Sequence, residues 1–307
     1  MKIGFSSFSF FDRVNDGRMS VREIIEWVAA SGGDHLELAT MTFSPKGGDE
    51  YWNLDDDDDL INAIRTNSRS SDVELSGLCI PANFLVSTEE RQQQIERAKH
   101  HIRLSDSLGI RFVRHDVVQW KYAGTDVAEF ERSLPVIVDA SREIAQFAAG
   151  YGIVTSVENH GFYLNASERV RRLIYEVNEP NFRTTLDVGN FLCVDEDPFF
   201  ATVTNLPLAS FVHLKDFYIR GRDRQLDGSW LTTLSGKHLL GSIVGFGDMP
   251  TESILRSIVD SGYDGYVSIE FEGLEDSLVG CEKGLANTRR ILDGFADLGP
   301  HTDGVDR

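Results

Sequence analysis

The sequence predicts a single (β/α)8 barrel, a TIM barrel with a long β7-α7 loop, and three observations predict it. Strand-like runs alternate with helix-like runs along the whole chain, with no Pro/Gly/Ser-rich linker and no short internal repeat between them. A length of 307 residues suits one such barrel. The alternative, an open doubly wound sheet, normally carries a glycine-rich turn after its first strand, and Phe5-Ser6-Ser7-Phe8 stands there instead. The barrel is expected over residues 1–298, with a frayed tail over 299–307.

Taken in order, Lys2–Ser7 reads as the first strand, followed by a polar loop. Ser20-Val21-Arg22-Glu23 has the form of a capping box and opens an amphipathic helix to about Ala30, stopped by Gly32-Gly33. Asp34–Ala39 is the second strand, and a long loop with Tyr51 and Trp52 follows. The acidic run Asp55–Asp59 reads as a solvated helix start, where carboxylates complement the helix dipole, and Leu60–Asn67 as the helix. Val73–Ile80 is the third strand, and Thr88, as cap, opens a helix to Leu108. Arg111–Val117 is the fourth strand, with Arg114, His115 and Asp116 near its end, and Val127–Ala149 the helix after it. Ile153–Glu158 is the fifth strand, Ser167 caps the next helix, Arg183–Asp187 is the sixth strand, and a short helix lies around Pro198–Leu206. Ser210–Phe217 is the seventh. The connection from Phe217 to Pro250 is too long for an ordinary loop and is expected to be a lid or a partner surface. Thr251–Ser261 is helical, Gly265–Glu270 is the eighth strand, and Ser277–Phe295 the last helix.

Composition narrows the function. Lys and Arg number 30 against 49 Asp and Glu, a net charge of −19, which disfavours a surface for nucleic acid. No apolar run reaches membrane-spanning length and no signal-peptide pattern opens the chain, so no membrane partner is expected. Cys79, Cys193 and Cys281 are far apart and odd in number; they make no disulfide framework, and the expected location is cytoplasmic.

The chemistry is expected where four successive strands, the fifth to the eighth, run from apolar residues into a polar end: Ile153–His160, Arg183–Asn190, Ser210–Phe217 and Tyr266–Glu272. Barrel enzymes place their sites at these C-terminal ends, and side chains two apart share a strand face. Glu158, Asp187, His213 and Glu270 would then meet as one imidazole and three carboxylates, a set costly to bury without a cation. Oxygen-rich ligation with one nitrogen suits Mn2+ best, with Mg2+, Co2+, Fe2+ or Zn2+ as alternatives. Alone, each residue has a plainer reading, a solvated rim carboxylate or a hydrogen-bonded core histidine. Their recurrence at the same end of four strands favours the metal. With such an ion, two carboxylates flanking a carbon beside a carbonyl can take a proton from one face and return one to the other.

The segments V-E-N-H-G (157–161), L-D-V-G-N (186–190), V-H-L-K-D (212–216) and Y-D-G-Y-V-S-I-E-F-E-G (263–273) resemble the xylose-isomerase-like barrel superfamily of sugar isomerases, ketose 3-epimerases, inosose dehydratases and endonuclease IV. The resemblance covers nearly the whole chain. It implies Glu158, Asp187, His213 and Glu270 as metal ligands, and Glu158 and Glu270 also as the proton-transferring pair. It implies a small sugar or glycoside as substrate and assembly into a homo-oligomer. Two departures stand out: Asn190 occupies a position where many members have histidine, and Ile219 one where the epimerases have arginine, with Arg220 and Arg222 nearby. His160 and Lys215 are therefore candidate acids, bases or oxyanion stabilisers, and Glu37, His115, Asn190, Arg220, Arg222 and Trp120 candidate substrate contacts. Trp52 and Tyr122 are further aromatics placed to stack on a sugar or cap the core.

R-H-D (114–116), V-E-N-H-G and L-K-D-F-Y-I-R (214–220), with the long seventh loop, also resemble the catalytic α subunits of C-glycoside deglycosylases. That branch implies a lyase that releases an aglycone from 3-oxo-glucosides by β-elimination, working with a small β-rich subunit. A nuclease of the endonuclease IV kind is disfavoured by the acidity and by the absence of histidine between His35 and His100. A non-catalytic scaffold would have no need of both paired glutamates.

Overall fold

Eight parallel strands close into a barrel in the computed structural model, which describes residues 1–45 and 52–298. In chain order they are β1 (Lys2–Ser6), β2 (His35–Ala39), β3 (Glu74–Ile80), β4 (Phe112–His115), β5 (Val154–Glu158), β6 (Phe182–Asp187) and β7 (Ala209–Leu214). An insertion of three strands follows, β8 (Asp216–Arg220), β9 (Leu231–Thr232) and β10 (His238–Ser242), and then β11 (Tyr266–Ile269) completes the barrel between β7 and β1. Tyr51 and the tail 299–307 lie outside the described residues. Among the described residues no helix is long and apolar enough to cross a membrane.

The helices form where the sequence supplies caps. Ser20 and Glu23 make the expected capping box for Val21–Ser31, and Gly32 ends that helix in a left-handed conformation. Asp57 caps Asp58–Ser70, with Asp58 and Asp59 in its first turn. Two expected caps are displaced by one residue. Ser87, not Thr88, caps Thr88–Leu108, because Glu90 three residues on completes a capping box with it. Ser167 is the first helical residue of Ser167–Val177 rather than its cap, and it bonds Glu196 instead. The expected polar loop after β1 is two short helices, Ser7–Phe10 and Phe11–Asn15; their Phe5–Phe10–Trp27 cluster gives that segment a core contact.

The N-terminal end of the barrel is plugged. Lys2 and the Tyr266 hydroxyl both bond Glu74, and Phe211 stacks on Tyr266 with ring centres 5.7 Å apart and Phe112 edge-on to both. Inward residues thus gather their carboxylates toward the C-terminal end, above this aromatic layer and His35, which bonds Ser76 within it.

The long connection carries a three-stranded sheet of its own. β10 pairs antiparallel with β8 and with β9, placing Ile219, Leu239 and Leu231 opposite one another on one face, and Arg220, His238 and Thr232 on the other. Buried Asp216 pins the far end, accepting from the backbone N–H groups of Gly245, Gly247 and Met249 and from the Thr251 hydroxyl. Asp195 holds the hairpin tip through Thr233 and Ser235.

His101, fully buried in the helix Thr88–Leu108, makes an acid-sensitive contact. Its Nδ1 lies 3.0 Å from the Arg97 carbonyl and Nε2 faces the Leu54 N–H at 3.5 Å, an arrangement that fits the neutral ring. Burial lowers its pKa to about 4. The unfolded chain therefore binds this proton more readily, and the stability His101 contributes is complete above about pH 6.5 and lost as pH falls toward 4. Urea unfolding of wild type and His101→Leu should show the difference between them shifting against wild type by about 2 kcal/mol from pH 7 to pH 4.5. Parallel pH curves for the two proteins would contradict it.

Candidate active site

Strand parity and two short bridges bring the polar strand ends together. On β5, Ser156 and Glu158 point inward; on β7, Phe211 and His213 do so, and Lys215 extends the same row. Asn159 then ties β5 to β6: its Oδ1 accepts from the Asp187 N–H at 2.9 Å and its Nδ2 donates to the Asp187 carbonyl at 2.8 Å. The Asp187 carboxylate turns its Oδ1 to the N–H groups of Gly189 and Asn190, both at 2.8 Å. That leaves Oδ2 facing the barrel axis. A Cβ at Gly189 would come within 2.6 Å of Lys215, so glycine there lets the lysine stem pass. Gly161 has φ +68°, and a Cβ there would strike the Trp120 carbonyl, so V-E-N-H-G ends in the one residue that permits this turn against the loop after β4.

Glu158, Asp187, His213 and Glu270 present ligand atoms that all lie within 4.8 Å of one another, and all four are buried. His213 Nδ1 stands 3.6 Å from Glu158, 3.9 Å from Glu270 and 4.0 Å from Asp187. These separations are too long for hydrogen bonds, and neither His213 Nδ1 nor Asp187 Oδ2 has a hydrogen-bond partner. Donor atoms each about 2.1 Å from one ion lie about 3–4 Å apart, so the set fits a divalent cation. His213 Nε2 sits 2.8 Å from Glu37 Oε2, which assigns the Nε2 hydrogen to that contact and turns Nδ1 toward the carboxylates, where it can carry either a proton or a metal ion. The Cys79 thiol donates to the other oxygen of Glu37 at 3.1 Å.

The electrostatics favour a cation at this point. Burial alone would lower the His213 pKa, but Glu37, Glu158 and Glu270 outweigh it and raise it well above the usual value. Burial pushes Asp187 up to about 6, against the pull of Lys215. Burial opposes charge on Lys215 as well, yet Asp187, Glu270 and Glu272 hold it firmly protonated. Its ammonium lies 2.7 Å from Glu270 and Glu272 and 3.1 Å from Asp187 Oδ2, the last as an ion pair without hydrogen-bond alignment. Glu158 is held on both oxygens: Arg114 Nε lies 2.9 Å from Oε2 as an ion pair without hydrogen-bond alignment, and Asn190 Nδ2 donates to Oε1 at 2.9 Å. Against the cost of burial, Arg114 keeps Glu158 well below the ordinary carboxylate range.

Above these groups opens a cavity of about 470 Å³, with Glu158, Glu270, His213, Lys215 and Asn190 on its floor. A family model for the xylose isomerase-like TIM barrel matches residues 25–292. The chain belongs to that family. Its barrel is similar to that of IolI with a bound zinc atom, at a TM-score of 0.72 and 17% identity over 96% of this chain and 99% of that one. D-allulose 3-epimerase from Methylomonas sp. gives 0.71 and 16% over 95% and 98%. The 3-keto-D-glucoside 4-epimerase of E. coli gives 0.69 and 16% over 94% and 99%. At these identities the likeness is one of fold. A search of curated protein sequences finds no match.

Within this family fold the candidate substrate contacts divide. Asn190, Trp120, His160 and Lys215 line the cavity. His160 Nδ1 lies 3.3 Å from Asp116 and 3.2 Å from Arg114 Nη2, and the Asp116 carboxylate outweighs burial to raise its pKa. Glu37 does not face the cavity; it is spent on His213 and Cys79. His115 is fully buried outside the barrel wall between Phe84 and Phe182, because β4 parity sends Phe112 and Arg114 inward and its neighbour outward. Arg220 is on the outer face of the insertion sheet, paired with Asp248, and Arg222 is exposed beyond it. Trp52 packs against the core, and Tyr122 against Tyr163. Arg114 and Asp116 were there to be found in R-H-D by counting parity back from the aromatic Phe112 rather than by choosing the histidine.

Arg114 is nearly buried between Asp116, at 2.6 Å, and Glu158. Arg114→Met strands two carboxylates in the barrel and should cost about 3–5 kcal/mol in urea unfolding at neutral pH. A loss under about 1 kcal/mol would mean that both carboxylates reach water without it.

Proposed function

We propose that this chain is a divalent-metal-dependent sugar enzyme that removes a proton from the carbon beside a carbonyl, forming an enediolate. The observation that carries the reading is the meeting of Glu158, Asp187, His213 and Glu270 below an open cavity, with His213 Nδ1 and Asp187 Oδ2 without hydrogen-bond partners. Those four residues would hold the ion. Bound there, it would polarise the carbonyl and absorb the negative charge that develops on oxygen. The oxygen-rich set favours Mn2+ or Mg2+ in this reading, and the zinc atom in IolI supports a divalent site in the same fold.

The chain's own groups divide the remaining work. Glu158 and Glu270 reach the cavity floor from non-adjacent strands, so a carbon held between them can lose a proton to one and regain it from the other. Asn190 and Arg114 fix the Glu158 carboxylate, and the Lys215 ammonium offsets charge beside Glu270. The sugar and ketosugar epimerases among the similar folds support carbohydrate as the substrate class.

Carbon-bound proton exchange in D2O, followed by NMR with added Mn2+, tests the reading on ketoses, inosose and a 3-oxo-glucoside. Deuterium should enter beside the carbonyl, and Glu158→Gln and Glu270→Gln should each slow its entry by about 100-fold or more. An intact labelled skeleton assigns isomerisation or epimerisation; a leaving group lost from the 3-oxo-glucoside alone assigns elimination. Unlabelled substrates with every metal sink the enediolate. Exhaustive chelation should abolish exchange, and Glu37→Ala should weaken Mn2+ binding, measured by calorimetry, by about 10–100-fold.

A further inference from the structure

Between the floor of the cavity and its walls stands one carboxylate with no part in the ion site, Glu272. The walls come from the connections and the insertion sheet, with Phe8, Trp120 and Leu231 among them. Glu158, Asp187 and Glu270 are buried, whereas the side chain of Glu272 is 41% exposed. A bridge between Gly241 of β10 and Gly273 fixes the backbone beside it, so the insertion sheet holds this acid at the rim.

The partner of Glu272 is Lys215, and Lys215 stands where it competes with an ion. Its Nζ lies 2.7 Å from Glu270 Oε2 and 3.1 Å from Asp187 Oδ2, on carboxylates of the ligand set. An ammonium has three hydrogens to donate, and a buried one must place them on acceptors. Turned onto the ligand oxygens, they would neutralise the site with the chain's own cation and occupy the lone pairs that an ion requires. They point elsewhere instead. Lys215 donates to Glu272 Oε1 at 2.7 Å and to Asn190 Oδ1 at 3.3 Å. Asp187 Oδ2 is left without a hydrogen-bond partner although the ammonium is 3.1 Å away. Asn190 is itself held by donating to Glu158. Of the two acceptors only Glu272 carries charge, and Lys215 is too buried to turn to bulk water in its place.

We infer that Glu272 is a positioning residue for the metal ion: it draws the Lys215 ammonium toward the rim and so keeps the facing oxygens of Asp187 and Glu270 open to a divalent cation. This role rests on the ion site of the proposed function and is independent of the enediolate. Glu272 acts through Lys215, which separates it from a carboxylate that merely attracts a cation through space. Through-space attraction operates whether or not the lysine is present.

Calorimetric titration of the chelator-stripped protein with Mn2+ tests the role in wild type, Glu272→Gln, Lys215→Met and the double variant, each checked by circular dichroism. Glu272→Gln should weaken Mn2+ binding by about 10-fold or more. Lys215→Met should tighten it, because a like charge has left the site, and Glu272→Gln added to it should change affinity by less than about three-fold. Lys215→Gln replaces Lys215→Met if the latter does not fold. The absorption bands of bound Co2+ supply a second measurement that leaves Lys215 in place; at saturation they should be the same in Glu272→Gln as in wild type, since the four ligands are unchanged.

Unchanged Mn2+ affinity in Glu272→Gln, a loss that persists in full without the lysine, or altered Co2+ bands would each overturn the role and leave the ion site standing. Mn2+ binding by Lys215→Met but not by wild type would overturn it too, because Glu272 would then have failed to hold the ammonium off. No Mn2+ binding by either protein removes the ion site and this role together.

Discussion

Everything at the C-terminal end of the barrel answers to one constraint: several carboxylates are buried within a few ångströms of each other and must be neutralised there. Glu37, Glu158, Asp187 and Glu270 are all closed to bulk water or nearly so. Isolated, each would cost several kcal/mol to bury in ionised form, and removal of one partner from such a set is costly as well. The chain meets this with Arg114, Lys215 and the imidazole of His213, each placed between carboxylates rather than beside one. Arg114 takes the position where a planar fork can hold two acids at once; Lys215 takes the position where a flexible stem can bring a compact charge past Gly189. The positive groups remain fewer than the negative ones at the His213 Nδ1 point, which is where a divalent ion has its natural place.

The same constraint explains features that look unrelated. The lower barrel interior is aromatic and uncharged above the Lys2–Glu74 plug, so nothing beneath competes for the charge at the mouth. Asn159 and Asn190, side by side with the ligands in sequence, are spent on backbone and carboxylate bonds. An amide can donate to one acid and accept from an ammonium without adding charge of its own, and Asn190 does both, to Glu158 and from Lys215. Asparagine at position 190 is thus consistent with a site whose cations are already assigned.

What the sequence made legible followed from periodicity. The strand and helix alternation, the closure of eight strands and the convergence of Glu158, Asp187, His213 and Glu270 all come from repeats of two residues in strands and of 3.6 in helices. Failures came where one residue of parity or a distant partner decided the outcome. His115 and Arg114 are neighbours on β4; the chemistry of imidazole argued for one and the pleat chose the other. Arg220 sat in the expected segment, but its direction was set by pairing of β8 with a strand about twenty residues later. Glu37 was inward as its strand implied, yet only the position of His213, 176 residues away, determined what it touches. Ser87 displaced Thr88 as a cap because both are good caps and only Glu90 distinguishes them.

The division between floor and wall follows from how each is held. The floor residues are anchored to strands whose register is locked on both sides by parallel pairing, and they are braced again by Asn159, Asn190 and Glu37. Displacing any of them disturbs the neutralisation of the rest, so the chemistry they carry is hard to alter piecemeal. The wall residues sit on connections whose backbone bonds are local, and the insertion sheet is fastened mainly at its ends, by Asp216 and Asp195. Substitution there changes shape and polarity without unbalancing charge. A barrel built this way can keep one buried charge cluster while the shape and polarity of the chamber above it are set independently, by side chains that never touch the carboxylates.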